Sequence, residues 1–435
     1  MLVIWKYRAY RHGDENCARA VRFWGKVFGL TFSVGVVTGI PMEFQFGTNW
    51  AGLSKYAGGV IGQTLAMEGM FAFFLESAMV GAVVWGERRL SPFSHFLATL
   101  GVALGSWLSA FFILVTNAFM QHPAGYEIAA DGSLHLSDIA AYLLNPWAWI
   151  EFIHNQMAAC VTGAFAVAAV GAFYVLKNVH REQARLYLKS GAVAGLLASV
   201  LTAFPTGDMQ AKLVAKHQEV TLAAMEGRFE SGGMAEITLI GQPNVPKRRL
   251  DNPIKLPGVL SFLAYGTFHS DVRGLNAFPQ DQWPNNIELL YYSFHVMAGL
   301  GTLFILLMGL ANIEWLRGRL ETNRALLWAI MLAFPFPYIA NTAGWITAEL
   351  GRQPWLIYGL FRTSQGVSDV VSVGDTIFTL IGYAGLYFVL GLLYLFLVCR
   401  EIVHGPEDGM ERGHPCPPSG PSIGGGHGHP RSMES

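Results

Sequence analysis

Residues 287–310 read IELLYYSFHVMAGLGTLFILLMGL. Within these 24 residues Glu288 is the only acid and His295 the only basic side chain, and the two hydroxyls Ser293 and Thr302 are the other breaks in an apolar or aromatic run. A helix needs about 20 apolar residues to cross the hydrocarbon core of a bilayer, so this stretch is long enough to span. Backbone groups in hydrocarbon must be paired within the segment, which makes the span helical. Similar runs lie near 27–46, 61–85, 95–119, 147–176, 186–206, 326–348 and 375–399. The composition agrees: 14% of the 435 residues are charged, against roughly 25% in a soluble domain, and the mean hydropathy is +0.36. The fold class predicted is all-α, a polytopic transmembrane helix bundle of about eight spans. A net charge of −1 offers no footing for nucleic acid. The four cysteines (Cys17, Cys160, Cys399, Cys416) show neither metal nor disulfide spacing. The first residues, MLVIWKYRAYRHGDE, turn basic at once and do not read as a cleavable signal peptide.

Lys and Arg placement orients the bundle, because short cytoplasmic loops are enriched in both. Lys6, Arg8, Arg11, Arg19, Arg22 and Lys26 precede the first run, and the next loop has only Lys55. Arg88 and Arg89 follow, and the loop at 120–146 has no Lys or Arg. The alternation continues through Lys177, Arg181, Arg185 and Lys189, then through Arg317, Arg319 and Arg324. Both termini are therefore expected in the cytoplasm. The chain divides into a cytoplasmic N-terminal segment (1–26), five spans (27–206), an extracytoplasmic segment (207–285), three spans (286–399) and a cytoplasmic tail (400–435). The 207–285 segment opens on an amphipathic, helix-like stretch (212–230) and continues Pro- and Gly-rich. Its length suggests a binding role rather than a connector. The tail is low-complexity and expected to be disordered.

Polar groups at membrane depth are costly and mark function by default. His154 lies in WIEFIHNQMAACVTGAF, and His295 and Met297 lie in the opening stretch. Histidine from one helix and methionine from another, at similar depth, form an axial pair for a low-spin haem. His295 and Met297 cannot serve one iron, since two helical residues turn about 200°. Glu68 and Glu76, in AMEGMFAFFLESAMVG, are eight residues apart, about 80° net, and share one broad face that suits a proton route. MEFQFGTNW (42–50) and GRQPW (351–355) place polar and aromatic groups at span ends.

Together MEFQFGTNW, AMEGMFAFFLES, GSWLSAFFILVTNAFMQHP, FIHNQMAACVTGA and AGWITAELGRQPW resemble subunit I of the cytochrome bd-type terminal oxidases, from about Phe23 to about Val398. The resemblance implies a quinol oxidase of the bacterial cytoplasmic (inner) membrane that reduces oxygen to water. It implies a low-spin haem b, a high-spin haem b and a haem d, with a second membrane subunit completing the complex. Carried onto this chain, His154 and Met297 match the axial ligands of the low-spin haem. Glu68 and Glu76 match the acidic pair near the oxygen-reducing haems, and Arg352 a guanidinium that could hold haem propionates. The 207–285 segment matches the quinol-binding loop in its shorter form, and Glu226 that loop's glutamate.

Four departures accompany the resemblance. The family has nine spans, the extra one at the N-terminus supplying a histidine ligand to the oxygen site. This chain starts at what looks like that helix's cytoplasmic end, through a mis-assigned start or true absence. The family's glutamate ligand to the high-spin haem falls at Thr342, and the loop's usual lysine at Thr221. His295 replaces an arginine; histidine carries a charge only when protonated, so it is expected to tune the neighbouring haem differently. The main reading is therefore an oxidase subunit. A membrane b-haem electron-transfer or sensor protein that has lost oxygen reduction is the alternative, and a haem-free transporter is a third reading that leaves His154 and Met297 unexplained.

Overall fold

The computed structural model of the chain describes residues 1–87 and 89–406. Among the described residues eight helices are long and apolar enough to cross a membrane: Glu15–Phe46, Ala51–Trp85, Pro92–Gln121, Ile139–Lys177, Arg181–His217, Ile287–Leu316, Arg324–Arg352 and Val373–His404, here the first to eighth spans. Every apolar run of the sequence falls on one of them. The helices outlast the runs because polar caps satisfy their free N–H groups beyond the apolar stretch. Asp14 accepts from the Cys17 N–H, so the first span begins at Glu15 rather than near 27. Ser91 and Asn145 cap helices whose first residue is proline. Ser372 and Asp375 cap each other reciprocally at the eighth span. That span runs through 400–404, while the expected disordered tail from 407 on, with Cys416, lies outside the described residues.

Small residues set the tightest packing. A Cβ on Gly191 would stand 2.6 Å from the Ala168 nitrogen, and one on Gly171 would stand 2.5 Å from the Leu188 nitrogen. The fourth and fifth spans therefore approach backbone to backbone, as bilayer helices with small residues do. The Phe165 and Phe304 rings, 4.8 Å apart, join the fourth span to the sixth. The eighth span has no buried residue; it leans on the first through Thr31–Tyr394 (3.0 Å) and Tyr387–Thr38 (2.7 Å). Its Phe378, Leu380, Phe388 and Val389 face outward.

The fifth span is broken at Thr202–Gly207, where Phe204 leaves helical geometry (φ −147°, ψ 125°), and the second contains a π-helical turn, Glu68–Phe73. Such turns lodge one extra residue in a helix and often mark functional sites. The 207–285 segment is ordered. Helices Asp208–His217 and Glu219–Met225 lead to an antiparallel hairpin, Ile237–Asn244 with Arg249–Leu256, and then to helix Val259–Tyr265. Leu222, Met225, Phe229 and Trp283 of this segment share one buried core with Phe119 and Trp147 of the spans. It is a folded cover on the bundle, where the sequence suggested a helix followed by irregular chain.

Candidate functional site

His154 stands just over two turns into the helix Pro146–Lys177. Its Nδ1 lies 3.1 Å from the Thr206 hydroxyl oxygen. That hydroxyl has one proton, and it points at helix carbonyls, Leu201 O at 2.8 Å and Thr202 O at 3.2 Å. With that proton on a carbonyl, the hydroxyl oxygen accepts from Nδ1–H, the tautomer in which Nε2 keeps its lone pair. Thr206 lies just past the break in the fifth span at Phe204, facing the fourth span, and a Cβ on Gly207 would sit 3.5 Å from the imidazole Cε1. Ligating histidines commonly donate their second nitrogen to such a partner.

Met297 packs on the seventh span at Gly344, where a Cβ would lie 2.9 Å from its sulfur. His154 and Met297 precede the Phe165–Phe304 contact by 11 and 7 residues on helices that run in the same direction. Measured from that contact they are roughly 16 Å and 10 Å toward the same end of the bundle. His295 turns elsewhere, as its spacing from Met297 requires. Its Nδ1 is 2.8 Å from Tyr291 O and its Nε2 is 2.8 Å from Thr238 O. Both nitrogens face carbonyl oxygens, of which a neutral ring's single N–H serves one, so His295 ties the sixth span to the hairpin and turns neither nitrogen toward a metal.

Arg352, at 2% exposure, closes the seventh span. One Nη2 hydrogen bonds Glu349, while Nε and Nη1 have no partner among the described residues. Glu349 also accepts from Asn117 Nδ2 at 2.8 Å. Glu151, 8% exposed and one turn before His154, is within Coulombic reach of both Glu349 and Arg352, and its Oε2 is unpartnered. Buried donors and acceptors rarely stay unsatisfied, so these orphans mark a place completed by a polar ligand or water. The sequence reading passed over Glu151 and Glu349. Glu349 is seven residues beyond Thr342, about 20° away around the helix. A threonine at 342 therefore leaves a carboxylate on that same face, two turns on.

The π turn of the second span changes the relation of Glu68 to Glu76. One residue is absorbed, so eight residues complete about two turns and bring the side chains to within about 20°, closer than a regular helix allows. The third span meets both: Ser109 Oγ donates to Glu68 at 2.8 Å and Ser106 Oγ donates to Glu76. A Cβ on Gly105 would lie 3.1 Å from the Glu76 nitrogen, so the helices touch there. Ser106, Ser109 and Asn117 share one face of the third span, which thereby connects Glu76, Glu68 and Glu349 in order along its length.

Glu226 lies under the hairpin at 3% exposure. Burial pushes its carboxyl up to about 7, opposed by the Thr238 N–H at 3.4 Å from Oε2. The Tyr291 hydroxyl, buried and without a partner among the described residues, is within Coulombic reach of Glu226. Thr221 donates to Gly351 O at 2.6 Å and is itself buried, so the position where a lysine was expected is a packed contact between cover and bundle. The signal for the hairpin, alternating residues on either side of the VPKR turn, was masked by Pro243 and Pro253.

Fold and interior together define a multi-pass membrane protein with buried and half-buried carboxylates among its spans. The chain belongs to the cytochrome bd terminal oxidase subunit I family, whose description matches residues 1–406. It is 37% identical to cytochrome bd ubiquinol oxidase subunit 1 of Bacillus subtilis (strain 168) over 91% of this chain and 86% of that protein. It is 32% identical to cytochrome bd-II ubiquinol oxidase subunit 1 of Escherichia coli (strain K12), over 89% of this chain and 88% of that one. The structure of bd oxidase from Geobacillus thermodenitrificans superposes with a TM-score of 0.85 at 30% identity, covering 93% of this chain and 92% of that chain.

Proposed function

We propose that this chain is the haem-carrying subunit of a quinol:oxygen oxidoreductase in the bacterial cytoplasmic membrane, with both termini cytoplasmic. The observation that carries the reading is the Thr206 hydroxyl oxygen 3.1 Å from His154 Nδ1 and itself directed at helix carbonyls, an arrangement that suits a proton on Nδ1 and leaves Nε2 as the ligand. His154 and Met297 would hold a low-spin haem b, and the orphaned Nε and Nη1 of Arg352 would receive its propionates. Haem supplies one-electron transfer when bound; the chain supplies ligands, a dry pocket and proton handling. Under the cover, Glu226 accepts a proton from the quinol hydroxyl, and its elevated pKa suits that task near neutral pH. The carboxylates along the third span, Glu76 and Glu68, relay protons toward the oxygen-reducing haems, a high-spin haem b and a haem d, with Glu349 a candidate ligand in place of a residue at Thr342. A second membrane subunit covers the outward apolar face of the eighth span.

Reduced-minus-oxidised spectra of the purified complex test this. A low-spin b signal with a red-shifted haem d band and oxygen uptake is expected. A single b-type signal without oxygen uptake favours the electron-transfer reading, and no haem at all overturns both. A second expectation concerns the histidine's partner. Thr206→Val removes the acceptor for Nδ1–H and should weaken low-spin haem retention about 10–100-fold, read by haem content after dialysis against apomyoglobin. Retention equal to wild type would show that Thr206 does not orient the ring.

A further inference from the structure

Where the fifth and sixth spans end on the side bearing Arg181 and Arg317, a cleft opens between Arg185, Leu188, Lys189, Trp315, Leu320 and Glu321. Arg181, Arg185 and Lys189 recur at four-residue steps and form one cationic stripe running from the helix end into the span. Arg185 uses Nε on both oxygens of Glu321, at 2.8 and 2.9 Å, which leaves its terminal N–H groups to face outward. Lys189 extends its ammonium over the Trp315 ring, 4.7 Å from the centroid, and has no carboxylate partner among the described residues. Just outside, Arg317 and Arg319 share the single carboxylate of Glu314, at 3.2 and 3.1 Å. The two acids, Glu314 and Glu321, against five cations leave a local excess of positive charge. Leu188 and Leu320 supply an apolar floor beneath it.

We propose that this cleft binds the phosphate of an anionic phospholipid, with the Lys189 ammonium and the outward N–H groups of Arg185 on the phosphate oxygens. Three features favour a lipid over a soluble anion. Trp315 sits at the last turn of a membrane span, the depth at which tryptophan anchors at the headgroup level. The floor is leucine, which suits a glycerol backbone and the first acyl carbons. Basic pockets between spans on the cytoplasmic side are a recurrent headgroup geometry. The aromatic ring keeps Lys189 extended at the span boundary without neutralising it, so the charge stays available to a ligand.

The test uses the whole purified complex, delipidated in detergent and supplied with phosphatidylglycerol, phosphatidylcholine or inorganic phosphate. Bound lipid is counted by native mass spectrometry and the thermal midpoint is followed in parallel. Wild type should retain at least one more phosphatidylglycerol than phosphatidylcholine and be stabilised by it. Lys189→Gln should bind phosphatidylglycerol about five-fold more weakly, the effect of one cation at a membrane surface, and Lys189→Arg should restore binding. Arg317→Gln, which removes a charge outside the cleft already shared with Glu314, should weaken binding less than Lys189→Gln does. Equal retention of the two lipids, or equal losses in the Lys189 and Arg317 variants, would overturn the site. Stabilisation by inorganic phosphate as strong as by the lipid would overturn the lipid assignment.

Discussion

Met297→Leu should convert the low-spin haem to a high-spin form and lower quinol oxidation at least about 100-fold, beyond the 10–100-fold that loss of a mere supporting contact costs. Leucine nearly matches methionine in volume, so packing against Gly344 survives while the soft sulfur donor disappears. The expected signature is specific: the narrow low-spin band of the reduced protein broadens and shifts, yet haem is still retained through His154. Met308→Leu is the control. It lies in the same helix, is fully buried, and should leave the spectrum untouched, since its sulfur packs beside Gly195 in the apolar core. Should Met297→Leu also leave the spectrum unchanged, the sixth ligand is another residue. His295 is a poor substitute because both of its ring nitrogens face carbonyls.

The eight spans were legible because hydrocarbon enforces a length and composition that no other element shares. His154 draws notice for a related reason, since an imidazole stands out against an apolar helix, whereas Met297 is singled out by the family resemblance because methionine is ordinary packing in such a helix. What stayed hidden depends on contacts remote in sequence. His295 bonds Thr238 across 57 residues, and nothing in SFHVMAG announces a hairpin strand as its partner. The π turn at Glu68–Phe73 adds one residue to a turn without any proline or glycine pair to flag it, so the spacing of Glu68 and Glu76 gave an angle that the helix itself corrects. Glu349 went unread because attention fell on Thr342; only the two-turn stacking along the seventh span, with Asn117 and Arg352 closing on it, shows a carboxylate kept on that face. Thr221 reads as a lost lysine in sequence, and as a hydrogen bond from cover to bundle in structure.

Glu226→Gln should separate the two consequences of burying a carboxylate under the hairpin. For catalysis, a base that titrates near 7 is half-available at neutral pH and well matched to a proton-transfer step. Its loss should lower kcat/KM for quinol about 10²–10⁴-fold and abolish the rising limb of the pH profile near 7. For stability the sign runs the other way. The carboxyl titrates about 7 in the folded chain against an ordinary 4.5, so below 4.5 both states hold the proton and the group contributes nothing. As pH rises from 4.5 to 7 the unfolded state releases its proton first, and the fold loses roughly 3 kcal/mol by linkage, an upper figure for a single buried acid. Above 7 the loss is complete and constant. The glutamine variant lacks this loss, so its unfolding midpoint should draw ahead of wild type across pH 4.5–7 and then run parallel to it. A variant that is slower and shows the widening gap identifies a buried, proton-accepting carboxyl. One that is slower without the gap places Glu226 at the surface of the cover, where it would act on quinol by charge alone.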